Sequence, residues 1–148
     1  MDIETNGHAA QAEISAHVAS AVIRVSDLDR SLRFYCDVFS CRVLIHAADT
    51  ALLLAPNGFQ LYLQARDWLH RRRASAVGVQ YLMWAADSQS DLARIRQRLH
   101  TYDTAVFTHT ENGITFLEGC DPDGARVIVA YPSPRQLPRT IIAERLRG

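Results

Sequence analysis

An α+β architecture of two consecutive βαβββ units, each sheet curled over its helix to leave an open cleft, is predicted by three features of this sequence. The stretches ASAVIRVSDLDRSLRFY (residues 19–35) and GVQYLMWAADSQSDLARI (residues 78–95) both read as a strand, an acidic turn and a helix. Ser20–Phe39 aligns on Gln80–Leu99 without a gap, so that Asp27 meets Asp87 and Phe39 meets Leu99; a repeat this long marks two copies of one supersecondary unit. In Phe59–Gln64, apolar Phe59, Leu61 and Leu63 alternate with Gln60, Tyr62 and Gln64, the period of a strand with one face on a core. Asp121-Pro122-Asp123-Gly124 is a turn in which proline presets φ, glycine accepts positive φ and both aspartates can bond back to the main chain.

The elements follow in order. Residues 1–13 read as a loose leader before a first unit spanning 14–65. Val18–Val25 is rich in β-branched residues and ends at Ser26-Asp27, a strand entering a helix. Ser26 is the expected cap, with Asp29 three residues on as a weaker capping box. Leu28, Leu32, Tyr35 and Phe39 recur at helical spacing, with Arg30, Arg33 and Asp37 between them. Cys41–Ala47 and Thr50–Ala55 read as short strands, Pro56-Asn57-Gly58 as a turn and Phe59–Gln64 as the fourth strand. Residues 66–77 read as a linker whose Arg71-Arg72-Arg73 run suits a solvated surface. The second unit, 78–132, repeats the order. Val79–Ala86 is a strand, Leu92, Ile95 and Leu99 mark a buried helix side, and strands at 104–109, 113–118 and 126–131 follow. Prolines 132, 134 and 138 forbid further sheet, leaving 133–148 as a tail.

The formal net charge is zero, which argues against general nucleic-acid binding, since neutralising phosphates requires a basic surface. Three cysteines without ligand spacing read as reduced thiols. The acidic, polar start MDIETNGHAAQAE is unlike a signal peptide, and no apolar run has membrane-spanning length. The expectation is a cytoplasmic protein with no membrane partner.

VSDLDRSLRFYCDVF resembles the first-module signature of the vicinal oxygen chelate superfamily, and FLEGCDPDGARVIV looks like its final hairpin. That superfamily includes glyoxalase I, extradiol dioxygenases and the fosfomycin- and bleomycin-resistance proteins. The resemblance spans roughly residues 18–131. It implies the glyoxalase/bleomycin-resistance fold, and a homodimer in which modules of two chains form each cleft. In metal-using members it places ligands on the first and last strands of each module. Those positions fall here on Ser20, Tyr62, Gln80 and Ile128. A hydroxyl, a phenol, one amide and an alkyl group lack the imidazole, thiolate or carboxylate donors that such ions need, so neither metal nor cofactor is expected. A shift of strand register would offer His17, His46 and His109, with Glu118 or Asp49, as alternative ligands. Their spacing has no HxH or HxxxH pattern and suits rim positions better.

Strand alternation then gives the expected cleft lining: Ser20, Val22 and Arg24; Gln60, Tyr62 and Gln64; Gln80, Leu82 and Trp84; Arg126, Ile128 and Ala130. The opposite faces, expected to pack on helices, are Ala21/Ile23/Val25, Leu61/Leu63, Tyr81/Met83/Ala85 and Val127/Val129. Trp84 suits either stacking on a planar ligand or packing at an interface. Arg24 and Arg126 suit an anionic group, or a salt bridge at a surface or between subunits. Together these features imply a metal-free binding protein that sequesters an aromatic metabolite or antibiotic, anionic if the arginines take part. Two alternatives stand beside it. One is a cofactor-independent lyase, isomerase or cyclase with Tyr62 or a histidine as acid or base. The other is a metal-dependent lyase or dioxygenase with relocated ligands. The residues do not choose between carrier and catalyst.

Overall fold

The computed structural model describes residues 14–65 and 81–133. The leader, the linker with its arginine run, Gln80 and residues 134–148 of the tail lie outside them. The elements are β1 (Ser20–Arg24), α1 (Leu28–Phe39), β2 (Arg42–His46), β3 (Thr50–Leu54), β4 (Gln60–Gln64), β5 (Leu82–Ala85), α2 (Gln89–His100), β6 (Phe107–Glu111), β7 (Ile114–Cys120) and β8 (Arg126–Tyr131). They build two four-stranded sheets of the same topology, β1-β4-β3-β2 and β5-β8-β7-β6. In each sheet the first and last strands of a unit are parallel neighbours and the remaining pairs are antiparallel. The predicted α+β fold with two βαβββ units is what the chain adopts.

Local chemistry explains where the helices begin. The first helix is capped by Asp27, whose Oδ1 accepts from the Arg30 N–H at 3.1 Å. Ser26, the expected cap, stands one residue too early and bonds instead to Asp123. The second helix is capped by Ser88, which accepts from the Asp91 N–H at 3.0 Å. Ser40, left-handed at φ 57°, ends α1. The β6–β7 hairpin turns through Asn112 and Gly113, both at positive φ, the pairing that a tight hairpin turn requires.

The caps correct the internal alignment. Asp27 corresponds to Ser88, not to Asp87, so the two units are related by a spacing one residue longer than the gapless match assumed. The core-facing helix positions agree: Ser31, Phe34 and Val38 in α1 correspond to Leu92, the partly buried Ile95 and Leu99 in α2. The strands agree too, because the Val25 N–H donates to the Gln64 carbonyl as the Ala86 N–H does to the Ala130 carbonyl.

One continuous core lies on the helix side of both sheets. It joins Phe34, Tyr35, Val38 and Phe39 of α1 to Ala51, Leu53, Leu61 and Leu63 of the first sheet. Leu92 and Leu99 of α2 and Leu117, Val127 and Val129 of the second sheet complete it. Gly119 on β7 allows the helix to come this close, since a Cβ there would stand 2.9 Å from Leu99 Cδ2. The predicted DPDG turn joins the units. The buried Asp121 carboxylate accepts from the Tyr35 hydroxyl at 2.9 Å and from the Asp123 and Ala125 N–H groups, also at 2.9 Å. Asp123 accepts from the Ser26 N–H and hydroxyl and from Arg30, placing negative charge at the positive end of α1. The units are therefore clamped through helices and this turn, and the other face of each sheet takes no part in the clamp.

Candidate functional site

Two sheet faces remain, and side-chain alternation decides what each presents. On the first sheet, β1 pairs in register with β4 so that Ser20 lies beside Gln60, Val22 beside Tyr62 and Arg24 beside Gln64. These six residues share a face with Leu52 and Leu54 of β3. Their partners Ala21, Ile23, Leu61 and Leu63 turn to the core. The structure thus brings together the six residues expected on this face. Val22 is 64% exposed in the middle of a strand, with Tyr62 and the two glutamines partly buried around it.

The second sheet differs from expectation. Leu82 and Trp84 pair with Val127 and Val129 and point into the core. Trp84 stacks on Phe39, with ring centroids 3.9 Å apart and planes at 12°, and more distantly on Tyr35. Its stacked ring face is used in packing, and the side chain is partly buried. The same one-residue error in alignment put Leu82 and Trp84 on the cleft face, because a strand alternates with period two and a slip of one exchanges its faces. Tyr81 and Met83 occupy the other face, against Ile114, Phe116, Ile128 and Ala130. Tyr81, not Gln80, is therefore the counterpart of Ser20. Arg126, Ile128 and Ala130 lie on the face expected of them, though Ile128 and Ala130 are fully buried.

On this second face the structure assembles a polar group that the sequence did not place. Glu118, 4% exposed, accepts at Oε1 from Arg126 Nε (3.3 Å) and Nη2 (3.2 Å). Its Oε2 lies 2.9 Å from His109 Nε2. The His109 ring stacks on Phe116 at 5.3 Å and on Phe107 at 6.1 Å. The Arg126 guanidinium lies over the Tyr81 ring, 4.8 Å from its centroid. The signal was present in β7, where Ile114, Phe116 and Glu118 alternate with Thr115, Leu117 and Gly119. That alternation puts Glu118 on the face of Phe116, and a carboxylate buried there needs partners. Which residues would partner it depended on cross-strand pairing.

With the spacing corrected, the four strand positions at which the resemblance places metal ligands are Ser20, Tyr62, Tyr81 and Ile128. Two phenols, a hydroxyl and an alkyl group do not fit a divalent ion, which needs imidazole, thiolate or carboxylate. Among the described residues, three or more histidine, cysteine or acidic groups nowhere gather with ligand geometry. Of the alternative ligands, His109 and Glu118 meet as a pair, and the other histidines stand away from them. His46 pairs with Asp29 on the helix side at 3.4 Å, while His17 precedes β1 and lines a surface pocket with Asn57 and Gln60.

No protein-family profile matches the sequence, and no curated protein sequence does. Solved structures do match. The glyoxylase/bleomycin resistance protein/dioxygenase domain from Frankia sp. EAN1pec superposes with a TM-score of 0.68 at 21% identity, covering 79% of this chain and 98% of that one. The chain has the vicinal oxygen chelate fold. A lactoylglutathione lyase from Agrobacterium tumefaciens matches at TM-score 0.63 and 21% identity, over 80% of this chain and 95% of the lyase. A fosfomycin resistance protein from Mesorhizobium loti matches at 0.60 and 14% identity, over 84% and 98%. The vicinal oxygen chelate fold thus carries a lyase and a resistance protein among its matches. Among the described residues, no helix is long and apolar enough to cross a membrane.

Proposed function

We propose that this protein is a metal-free member of the vicinal oxygen chelate fold that binds a small aromatic molecule. The observation that carries this reading is the set of side chains at the metal positions: Ser20, Tyr62, Tyr81 and Ile128 offer hydrogen bonds and apolar area but no competent donor set. The first sheet's face supports it. Val22, Tyr62 and Leu52 supply apolar surface, and Ser20, Gln60 and Gln64 supply the few directional groups that orient a ligand. Arg24 and Arg126 suit an anionic substituent to the extent that a ligand can share each with its present partners.

In the same reading the protein is a homodimer. Besides Val22, Ile45 of β2 is an exposed large hydrophobic on the same face, opposite Leu52, and Val43 and Leu44 are exposed along the same edge strand, a grouping that favours cover by a second surface. A second copy would cover this face and turn an open sheet into an enclosed cleft. Light scattering is expected to give twice the chain's mass.

Calorimetry of the full chain against aromatic acids such as salicylate and naphthoate tests the function. Saturable binding that persists in excess chelator is the expected result. A stoichiometric divalent ion in purified protein, with binding lost on its removal, would overturn it and favour the metal-dependent alternative.

A further inference from the structure

We propose that His109 is a general base for a ligand lying at the edge of the second sheet, held in its working tautomer by Glu118, which Arg126 anchors. This deepens the reading above and rests on the protein having a small-molecule ligand.

Glu118 sits on an interior strand of the sheet, among Ile114, Phe116, Ile128 and Ala130. Its negative charge is balanced by Arg126, so His109 is not required as a counter-cation. An ionised carboxylate only accepts hydrogen bonds. Nε2 must then carry the imidazole hydrogen, and Nδ1 keeps the lone pair. Nδ1 meets no side chain among the described residues. No buried side-chain nitrogen or oxygen among them lacks a partner, so Nδ1 lies where solvent or a ligand can reach it. Stacking on Phe107 and Phe116 fixes the plane of the ring, and Phe107, 41% exposed, offers a planar apolar rim beside it.

A base within reach of a ligand, with a carboxylate orienting its far nitrogen, is the arrangement that proton transfer requires. The step is the isomerisation of a β,γ-unsaturated carbonyl compound to its conjugated isomer. Nδ1 takes a proton from the carbon next to the carbonyl, and the C–H electron pair moves into the carbonyl to give an enolate. Glu118 stabilises the imidazolium so formed. The same Nδ1–H returns the proton at the far end of the conjugated system, so no co-reactant is consumed. The other titratable groups on this face are Tyr81, Glu111 and Cys120. His109 is the candidate catalytic residue, and Glu118 and Arg126 are positioning residues.

Two measurements test the proposal. Nitrogen NMR of the histidine-labelled full chain reads the tautomer directly and needs no variant. His109 protonated at Nε2 is expected, and protonation at Nδ1 in the neutral ring overturns the proposal. The second measurement uses a nitro-substituted benzisoxazole as probe, in the presence of chelator. Removal of its ring C–H proton by a base breaks the N–O bond and releases a coloured cyanophenolate. Turnover should rise with pH through one ionisation and fall at least about tenfold in His109→Gln, while His46→Gln leaves it unchanged. Glu118→Gln should lower the midpoint of the pH profile, because an amide stabilises imidazolium less than a carboxylate does; an unmoved midpoint would reduce Glu118 to a structural part. Equal turnover in His109→Gln and the parent overturns the proposal even if aromatic acids bind. Binding absent but His109-dependent turnover present would instead remove the proposed sequestering role alone.

Discussion

Replacing Tyr35 by Phe isolates the contact that joins the two units. Tyr35 lies on α1, is 3% exposed, and donates its hydroxyl hydrogen to Asp121 Oδ2 at 2.9 Å. Asp121 is 5% exposed, and its other oxygen is occupied by two main-chain N–H groups. The substitution keeps the ring and its stacking but leaves Oδ2 without its partner in a buried site. Hydrogen bonds to charged groups contribute about 1.5–3 kcal/mol, and a stranded acceptor adds its desolvation cost. A loss of about 2 kcal/mol is expected, or a fall in Tm of roughly 4–8 °C for a chain of this size. Urea denaturation followed by tryptophan fluorescence should show a lower midpoint with an unchanged slope. In a cycle with Asp121→Asn the coupling should exceed about 1 kcal/mol. The pair also makes an alkaline prediction. Burial, and then the negative charge of Asp121, push the Tyr35 phenol far above its ordinary range. A raised folded-state value means that the folded chain holds the proton after the unfolded chain has lost it. The contribution is therefore complete below about pH 10 and lost as pH rises, with a slope of at most about 1.4 kcal/mol per pH unit. Tyr35→Phe should flatten this alkaline limb, leaving what remains to groups such as Tyr102, pushed up to about 12 by partial burial and its bond to Asp37. A Tyr35→Phe protein within about 0.5 kcal/mol of the parent, with the same alkaline limb, would refute the reasoning.

Three further outcomes are expected. Trp84→Ala should cost about 3 kcal/mol as a core truncation, yet change the affinity of a bound aromatic acid less than about twofold; a large affinity loss in calorimetry with little destabilisation would return Trp84 to the cleft. Gly119→Ala should destabilise by about 1–3 kcal/mol in urea, because the new methyl meets the fully buried Leu99 side chain at 2.9 Å; a neutral effect would mean that α2 can move away freely. The Cys41 thiol is pushed up to about 12, by burial first and then by Cys36, so at pH 8 roughly one molecule in ten thousand carries its thiolate. Thiol labelling read by mass spectrometry should spare Cys41 in the folded chain at pH 8, label it as pH rises toward 12, and label it fast at any alkaline pH once unfolded; rapid labelling of the folded chain at pH 8 would refute its burial.

What could be determined from the sequence alone was whatever depends on neighbours along the chain. The stripe on α1, the alternation in β4 and the geometry of the DPDG turn each follow from local spacing, and together with the repeat they specify two βαβββ units. The face of β5 could not be determined this way. Asp87 and Ser88 are both able to cap a helix, and LMWA is apolar on both sides, so neither the cap nor the alternation fixed its phase. Only the pairing of β5 with β8, with Trp84 seated on Phe39, turned Leu82 and Trp84 inward and left Tyr81 facing the other way. The burial of Glu118 is of the same kind. A carboxylate in FLEGC looks ordinary until β6 brings His109 and β8 brings Arg126 beside it, because charge compensation acts through space and the sequence records only the order of residues.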